Sequence, residues 1–189
     1  MSSFADRLAA AVRARGSQVC LGLDPNPAKF WGSTDAVASA DPAASAAVAV
    51  GGWCRSLIDR AGPACVAVKP QFACFERLGA PGWRALAETV EAAHSAGLLV
   101  VADGKRGDVP ISAAAYGQAL VGSTPTPWGE VRGLGADAFT ANPLLGSDAL
   151  DTFVEAAAGE GASAFAPIRP PNQNAANVLC LPTPEHPPP

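Results

Sequence analysis

Charge is scarce in this sequence of 189 residues, and no segment is strongly basic. Lys, Arg, Asp and Glu make up 16% of the residues, well below the roughly 25% usual in soluble domains. The formal net charge is -4, and the basic residues form no cluster beyond the pair Lys105-Arg106. Nucleic-acid binding depends on a basic surface that neutralises phosphates, so the composition argues against a nucleic-acid partner.

Metal-binding cysteine pairs and long apolar runs are also missing. The five cysteines include no C-x-x-C pair, and His94 and His186 are the only histidines, so no structural zinc site is expected. No stretch approaches the roughly 20 apolar residues of a membrane span. The N-terminal segment carries an acid and three arginines, unlike the apolar centre of a secretory signal. We therefore expect no membrane association, a cytoplasmic location and reduced thiols.

Apolar segments of strand length alternate with longer amphipathic segments along the chain. Hydrophobic residues make up 49% of the sequence, which is ample for the core of one domain. The pattern predicts strands at 19–23, 65–68, 98–102, 136–141 and 164–168. It predicts helices at 3–15, 41–61, 81–96, 111–121 and 147–158, with a loop at 122–133. Such alternation indicates successive right-handed βαβ units and a parallel α/β sheet.

Three of the predicted strands end in ionisable residues. Asp24 follows the first strand, Lys69 the second and Asp103 the third. The carboxyl ends of parallel strands in a barrel open on one face, so these side chains are expected to converge over a pocket, with Lys105 and Asp108 beside them. The alternative is that each charge only marks where a strand meets solvent, because Asp-Gly is also a common turn dipeptide.

The run DGKRGDVPIS at 103–112 resembles the D-x-K-x-x-D signature of the orotidine 5'-monophosphate decarboxylase family. The segments LGLDPNP (21–27), VAVKPQ (66–71) and TANPLLGSDAL (140–150) resemble the longer bacterial subgroup of that family, in the same order. The resemblance implies a (β/α)8 TIM barrel that works as a homodimer. It also implies removal of CO2 from orotidine 5'-monophosphate to give UMP, a step of de novo pyrimidine biosynthesis, without metal or organic cofactor.

The resemblance assigns catalytic roles to four charged residues. Lys69, Asp103 and Lys105 would form the charged network of one subunit, and Asp108 would cross a dimer interface to complete the site of the other subunit. Lys105 would stabilise the carbanion left by CO2 and then donate a proton to it. Charges fixed in advance suit this reaction, because the pyrimidine ring delocalises those electrons poorly.

Three further residues are candidate substrate contacts. By resemblance, Asp24 would hold the ribose hydroxyls. Ser112 stands where the family usually has Thr, so the nucleotide-contacting hydroxyl is kept and a methyl group is lost. Asn142 lies at a predicted strand end, where the Asn-Pro dipeptide also favours a simple turn.

From these motifs, we expect similarity to the family to end near Arg169. The family continues there with an Arg-Thr-Ser-Asn-Pro type of segment whose serine contacts the pyrimidine, whereas this chain has RPPNQ at 169–173. A full barrel takes about 250 residues, and only about five of its eight strand-helix units precede the proline-rich segment. We therefore expect a partial barrel domain at 1–166 and a poorly ordered tail at 167–189. Because the family's phosphate contacts come from later strands, we expect marginal stability and weak activity.

The sequence leaves two other interpretations of the function open. One is a metal-dependent sugar-phosphate decarboxylase or aldolase of the same barrel group, which shares the D-x-K-x-x-D pattern; Lys69 and the LGLDPNP segment argue against it. The other is a barrel fragment without catalytic function, which the proline-rich tail and the missing units favour.

Overall fold

The computed structural model describes residues 2–29, 39–169 and 171–180, and within them helices and strands alternate. The strands are β1 (Cys20–Leu23), β2 (Ala67–Pro70), β3 (Leu99–Arg106), β4 (Ser123–Thr126), β5 (Gly129–Arg132), β6 (Ala138–Ala141) and β7 (Ser163–Phe165). The α-helices are α1 (Phe4–Arg15), α2 (Pro42–Ala61), α3 (Ala73–Glu76), α4 (Gly79–Ser95), α5 (Pro110–Leu120), α6 (Ser147–Gly159) and α7 (Ala176–Leu179). No helix in these ranges combines the length and the apolar character needed to span a membrane.

Five of the strands form one sheet in the order β1-β2-β3-β6-β7, and every pairing in that sheet is parallel. The spatial order of the strands follows their order in the chain. Strands wind in this way in a (β/α)8 barrel, whereas a doubly wound sheet reverses its strand order at a switch point. The predicted parallel α/β architecture with five strand-helix units is therefore confirmed.

The two faces of the sheet pack against different partners. On β3, Val100 and Ala102 belong to the main core formed with the surrounding helices. The intervening residue Val101 packs instead against Phe4 of α1, with Leu99 beside it. Because side chains alternate along a regular strand, Asp103 lies on the same face as Leu99 and Val101. The face beneath α1 therefore continues into the charged segment of β3.

Asp137, just before β6, connects four elements at the opposite end of the strands. Its carboxylate forms an ion pair with Arg7 of α1, lies 3.0 Å from His94 Nε2 of α4, and accepts a 2.8 Å hydrogen bond from the amide of Val100. The side chain is buried. Burial alone would raise the pKa of Asp137, but the hydrogen bonds from His94, Val100 and Arg7 and the charge of Arg7 lower it overall. This cluster fixes α1 and α4 against the sheet.

The prediction of a loop at 122–133 was wrong, because this segment forms an antiparallel hairpin of β4 and β5. Thr126 closes the turn: its hydroxyl donates to the carbonyl of Gly129 at 2.6 Å and accepts from the amide of Trp128 at 3.2 Å. Gly129 has φ +120°, a conformation that glycine adopts easily. The two prolines and the exposed residues of the hairpin conceal the usual strand pattern.

The predicted tail is partly helical. β7 ends at Phe165, earlier than predicted, and after it come a 3-10 turn at Gln173–Ala175 and the short helix α7. There is no proline between Pro171 and Pro182. The backbone N–H donors that a helix requires are therefore available in this segment. Residues 170 and 181–189 of the predicted tail lie outside the described residues.

Candidate active site

The charged residues selected from the sequence lie at the carboxyl edge of the parallel sheet. Asp24 directly follows β1, whereas Lys69 lies inside β2 and Asp103 and Lys105 lie inside β3. Both β2 and β3 extend past their predicted ends, because parallel pairing continues as far as Pro70 and Arg106. The prediction that these residues converge at one edge is confirmed for Lys69, Asp103 and Lys105.

Asp103 is the centre of this group, and its side chain is only 4% exposed. Its Oδ1 accepts hydrogen bonds from Lys105 Nζ at 2.5 Å and from Thr140 Oγ1 at 3.0 Å. Its Oδ2 accepts from Lys69 Nζ and, at 3.2 Å, from Gln71 Nε2. One buried carboxylate is thus held by four donors from three neighbouring strand ends.

These donors determine the ionisation of Asp103. Burial by itself raises the pKa of the carboxyl, but the hydrogen bonds from Lys105, Lys69 and Thr140 and the charge of Lys69 lower it overall below its usual range. Asp103 is therefore a carboxylate at neutral pH. The side chains of Lys69 and Lys105 are 36% and 51% exposed, so both ammonium groups also reach the open side of the sheet. The arrangement presents fixed positive charge around a buried negative one.

Lys105 has an unusual backbone conformation. Its φ is +46°, and among the residues that the structure describes it is the one non-glycine residue with positive φ. Its amide donates a 2.8 Å hydrogen bond to Thr140 Oγ1 of β6. The pairing of β3 with β6 shifts register between Ala102 and Arg106, which is the mark of a bulge. Bulges often redirect side chains at functional sites.

Three other predicted site residues do not join this hydrogen-bonded group in the described part of the chain. Asp108 is half-buried, and its Oδ1 accepts a 2.8 Å hydrogen bond from the amide of Val109. Ser112 lies in the first turn of α5 and Asp24 is exposed at the end of β1. Within the ranges described, none of these three makes a hydrogen bond or ion pair to Lys69, Asp103 or Lys105.

Asn142 has a local structural role and also lines a cavity. Its Oδ1 accepts from the amide of Leu144 at 3.0 Å and so begins the 3-10 turn at Pro143–Leu145. The cavity beside it has a volume of about 520 Å³ and extends from Lys105 to the segment that follows β7. It is lined by Lys105, Asn142, Pro143, Leu144, Pro167, Ile168, Asn172, Asn174, Ala175 and Leu179. One lysine of the charged group therefore borders a space of ligand size.

Sequence reasoning did not find Gln71 and Thr140, although both contact Asp103. Both are uncharged, and both lie in segments quoted above for their resemblance, VAVKPQ and TANPLLGSDAL. The available signal was their position at carboxyl strand ends, which is shared with Lys69 and Asp103. In the described part of the chain, no group of three or more His, Cys, Asp and Glu side chains is placed to hold a metal ion.

Comparison with known proteins identifies the family. The sequence profile of the "Orotidine 5'-phosphate decarboxylase / HUMPS family" matches residues 17–179, so the similarity extends beyond the expected end near Arg169. An orotidine 5'-phosphate decarboxylase of Rhodopirellula baltica is 37% identical over 91% of this chain and 56% of its own length. One from Deinococcus radiodurans is 34% identical over 90% of this chain and 54% of its own length.

A solved structure agrees with these sequence matches. The orotidine 5'-monophosphate decarboxylase of Leishmania donovani superposes with a TM-score of 0.70 and 31% identity, covering 96% of this chain and 59% of that one. The chain spans about half the length of the curated relatives it matches. The matched region contains every charged residue at the carboxyl edge of the sheet. The chain therefore belongs to the orotidine 5'-phosphate decarboxylase / HUMPS family.

Proposed function

We propose that the site around Asp103 decarboxylates orotidine 5'-monophosphate to UMP, a step of pyrimidine biosynthesis, without a cofactor. The observation that carries the proposal is the buried Asp103 carboxylate held between the ammonium groups of Lys69 and Lys105. The relatives named orotidine 5'-phosphate decarboxylase support the substrate and the reaction.

The proposed reaction assigns the proton to Lys105. The bond between C6 of the pyrimidine and its carboxylate breaks, CO2 leaves, and the electron pair stays on C6. The Lys105 ammonium stabilises this negative charge and then donates a proton to C6, and the resulting amine regains a proton from water. Asp103 and Lys69 hold Lys105 in place before the charge develops, so little reorganisation is needed during the reaction. The Asp103 carboxylate also disfavours the substrate carboxylate relative to the carbanion.

Other site residues complete the proposal. Asp24 binds the ribose hydroxyls, and Ser112 and Asn142 contact the nucleotide. Asp108 acts across the interface of a homodimer and completes the partner's site, in keeping with its lack of a bond to Lys105 among the described residues. A mass measurement in solution tests the dimer: a monomer at the concentration at which CO2 is released would refute this part.

The proposal extends to domain organisation and location. Residues 1–166 form the catalytic unit, and 167–189 form a separate proline-rich segment whose described part borders the cavity beside Lys105. A cytoplasmic location suits the five free cysteines.

Release of ¹⁴CO2 from carboxyl-labelled orotidine 5'-monophosphate tests the activity directly, and it detects slow turnover. Lys105→Ala is expected to lower the rate to the background level, because it removes the proton donor. Lys29→Ala, at an exposed lysine of the 3-10 turn Pro27–Lys29, is the matched control and should leave the rate unchanged. No CO2 release from the folded chain, or equal release from Lys105→Ala, would refute the proposed function.

A further inference from the structure

The bulge in β3 leaves three of its residues opposite a single residue of β6. Ala102 pairs with Phe139 and Arg106 pairs with Ala141. Asp103, Gly104 and Lys105 therefore face Thr140 alone. A regular ladder would supply main-chain partners to each of these residues, but a bulge leaves some of the groups unpaired. The side chain of Thr140 supplies contacts that the ladder does not.

The hydroxyl of Thr140 has two partners, and their chemistry fixes its orientation. The amide of Lys105 can only donate, so Oγ1 accepts this hydrogen bond, at 2.8 Å. The Asp103 carboxylate can only accept, so the single hydroxyl proton points to Oδ1, at 3.0 Å. One hydroxyl thus joins the backbone of Lys105 to the carboxylate that holds the Lys105 side chain.

The backbone of Lys105 needs such support. A left-handed conformation brings Cβ of an L-residue close to its own carbonyl oxygen, and this is unfavourable by roughly 1–2 kcal/mol. Strained residues of this kind persist where the surrounding structure holds them, and they cluster at active sites. Here the bond from the Lys105 amide to Thr140 and the bond from Lys105 Nζ to Asp103 Oδ1 (2.5 Å) hold the residue at both ends.

We propose that Thr140 is a positioning residue, whose hydroxyl holds Lys105 in its left-handed conformation and directs the Lys105 ammonium at the reacting carbon. This inference rests on the proposed function for its effect on turnover. Its structural part, the link between Thr140 and the Lys105 amide, stands on the geometry alone.

Three substitutions separate the hydroxyl from the rest of the side chain. Thr140→Val keeps the shape and removes the hydroxyl, Thr140→Ser keeps the hydroxyl and removes the methyl group, and Thr140→Ala is the alternative if the Val variant does not fold. Thr152→Val is the matched control, because Thr152 is also half-buried and its hydroxyl donates to the main-chain carbonyl of Asp148 in α6. Thermal unfolding followed by circular dichroism confirms that each variant is folded.

Amide hydrogen exchange of Lys105, measured by NMR, tests the hydrogen bond between the Lys105 amide and the Thr140 hydroxyl without any substrate. Loss of the acceptor in Thr140→Val should accelerate exchange at Lys105 by about tenfold or more, whereas Thr140→Ser and Thr152→Val should exchange like the unaltered chain. Unchanged exchange in Thr140→Val would overturn the proposal whatever the activity of the protein.

Kinetics then test the effect on the reaction. The Thr140 hydroxyl donates a hydrogen bond to the Asp103 carboxylate. Thr140→Val should therefore lower kcat by about 10- to 100-fold and change KM by less than about threefold. Thr140→Ser should recover kcat to within about threefold. Equal loss in the Ser and Val variants would assign the effect to packing of the methyl group and overturn the proposal. Absence of turnover in the unaltered chain would refute the proposed function, and exchange at Lys105 would still decide the role of Thr140.

Discussion

Replacement of Asp103 by Asn should destabilise the protein, although the two side chains have nearly the same shape. The carboxylate accepts from four donors, and Asn can offer one oxygen while its NH2 group faces the remaining donors. The substitution also leaves the ammonium groups of Lys69 and Lys105 close together without the negative charge between them.

The size of this effect follows from burial. Removing one partner of a fully buried ion pair destabilises a protein by about 3–5 kcal/mol. Lys69 and Lys105 are 36% and 51% exposed, and because water can solvate both ammonium groups, we expect a smaller loss of about 1–3 kcal/mol in the free energy of unfolding. For a chain of this length, that corresponds to a decrease in Tm of about 2–12 °C.

The loss of stability in the Asp103→Asn variant should also depend on pH. The folded state lowers the pKa of Asp103, so its charged form stabilises the fold. This contribution is fully present above the ordinary aspartate pKa of about 3.9 and disappears as the pH falls through the lower pKa of the folded state. The difference in stability between the unaltered chain and Asp103→Asn should therefore be largest near neutral pH and shrink below about pH 4.

Urea unfolding followed by tryptophan fluorescence, repeated across pH, measures this difference. Asp41→Asn is the matched control, because the exposed Asp41 caps α2 through its side chain and Asn caps a helix equally well. A variant as stable as the unaltered chain near neutral pH, or a difference that does not change with pH, would show that Asp103 does not stabilise the fold through its charge.

Three other substitutions test contacts of the helices outside the charged site. Asp137→Asn should lower the free energy of unfolding by about 1–3 kcal/mol, because it removes the negative charge opposite Arg7. The folded state also lowers the pKa of Asp137, so this loss of stability should shrink below about pH 4 in urea unfolding. A loss that does not change with pH would contradict the role of the Asp137 charge. Gly82→Ala in α4 should reduce stability by about 1–3 kcal/mol in thermal unfolding, because the new Cβ would overlap the carbonyl oxygen of Phe75. Gly52→Ala in α2 meets no atom within 4 Å and should instead be stabilising by about 0.5–1 kcal/mol; a stabilised Gly82→Ala variant would contradict the close contact.

The charged part of the site could be predicted because it depends on local pattern and on one rule of topology. An apolar run ending in Asp103, and another ending at Lys69, mark the carboxyl ends of two strands. Parallel strands then place those ends at one edge of the sheet. The ion pairs of Asp103 with Lys69 and Lys105 follow from that rule and the length of the lysine side chain.

The uncharged contacts could not be predicted in the same way. Thr140 contacts Asp103 because a bulge shifts the register of β3 against β6, and register depends on the packing of both strands. Asp137 precedes an apolar strand just as a solvated residue would, and its partner Arg7 is 130 positions away in the chain. The hairpin of β4 and β5 was missed because prolines interrupt the alternation that predicts strands.

Gly104, between Asp103 and Lys105 in β3, links the site to the protein core. A Cβ on Gly104 would lie 3.1 Å from Cδ2 of Phe72, closer than ordinary van der Waals contact. Phe72 is buried, and its amide donates to the carbonyl of Asp103 at 3.1 Å. A larger side chain at 104 therefore requires the Phe72 ring to shift by a few tenths of an ångström, next to the hydrogen bond that joins Phe72 to Asp103. Packing against Phe72 therefore restricts the side chain at position 104, between Asp103 and Lys105.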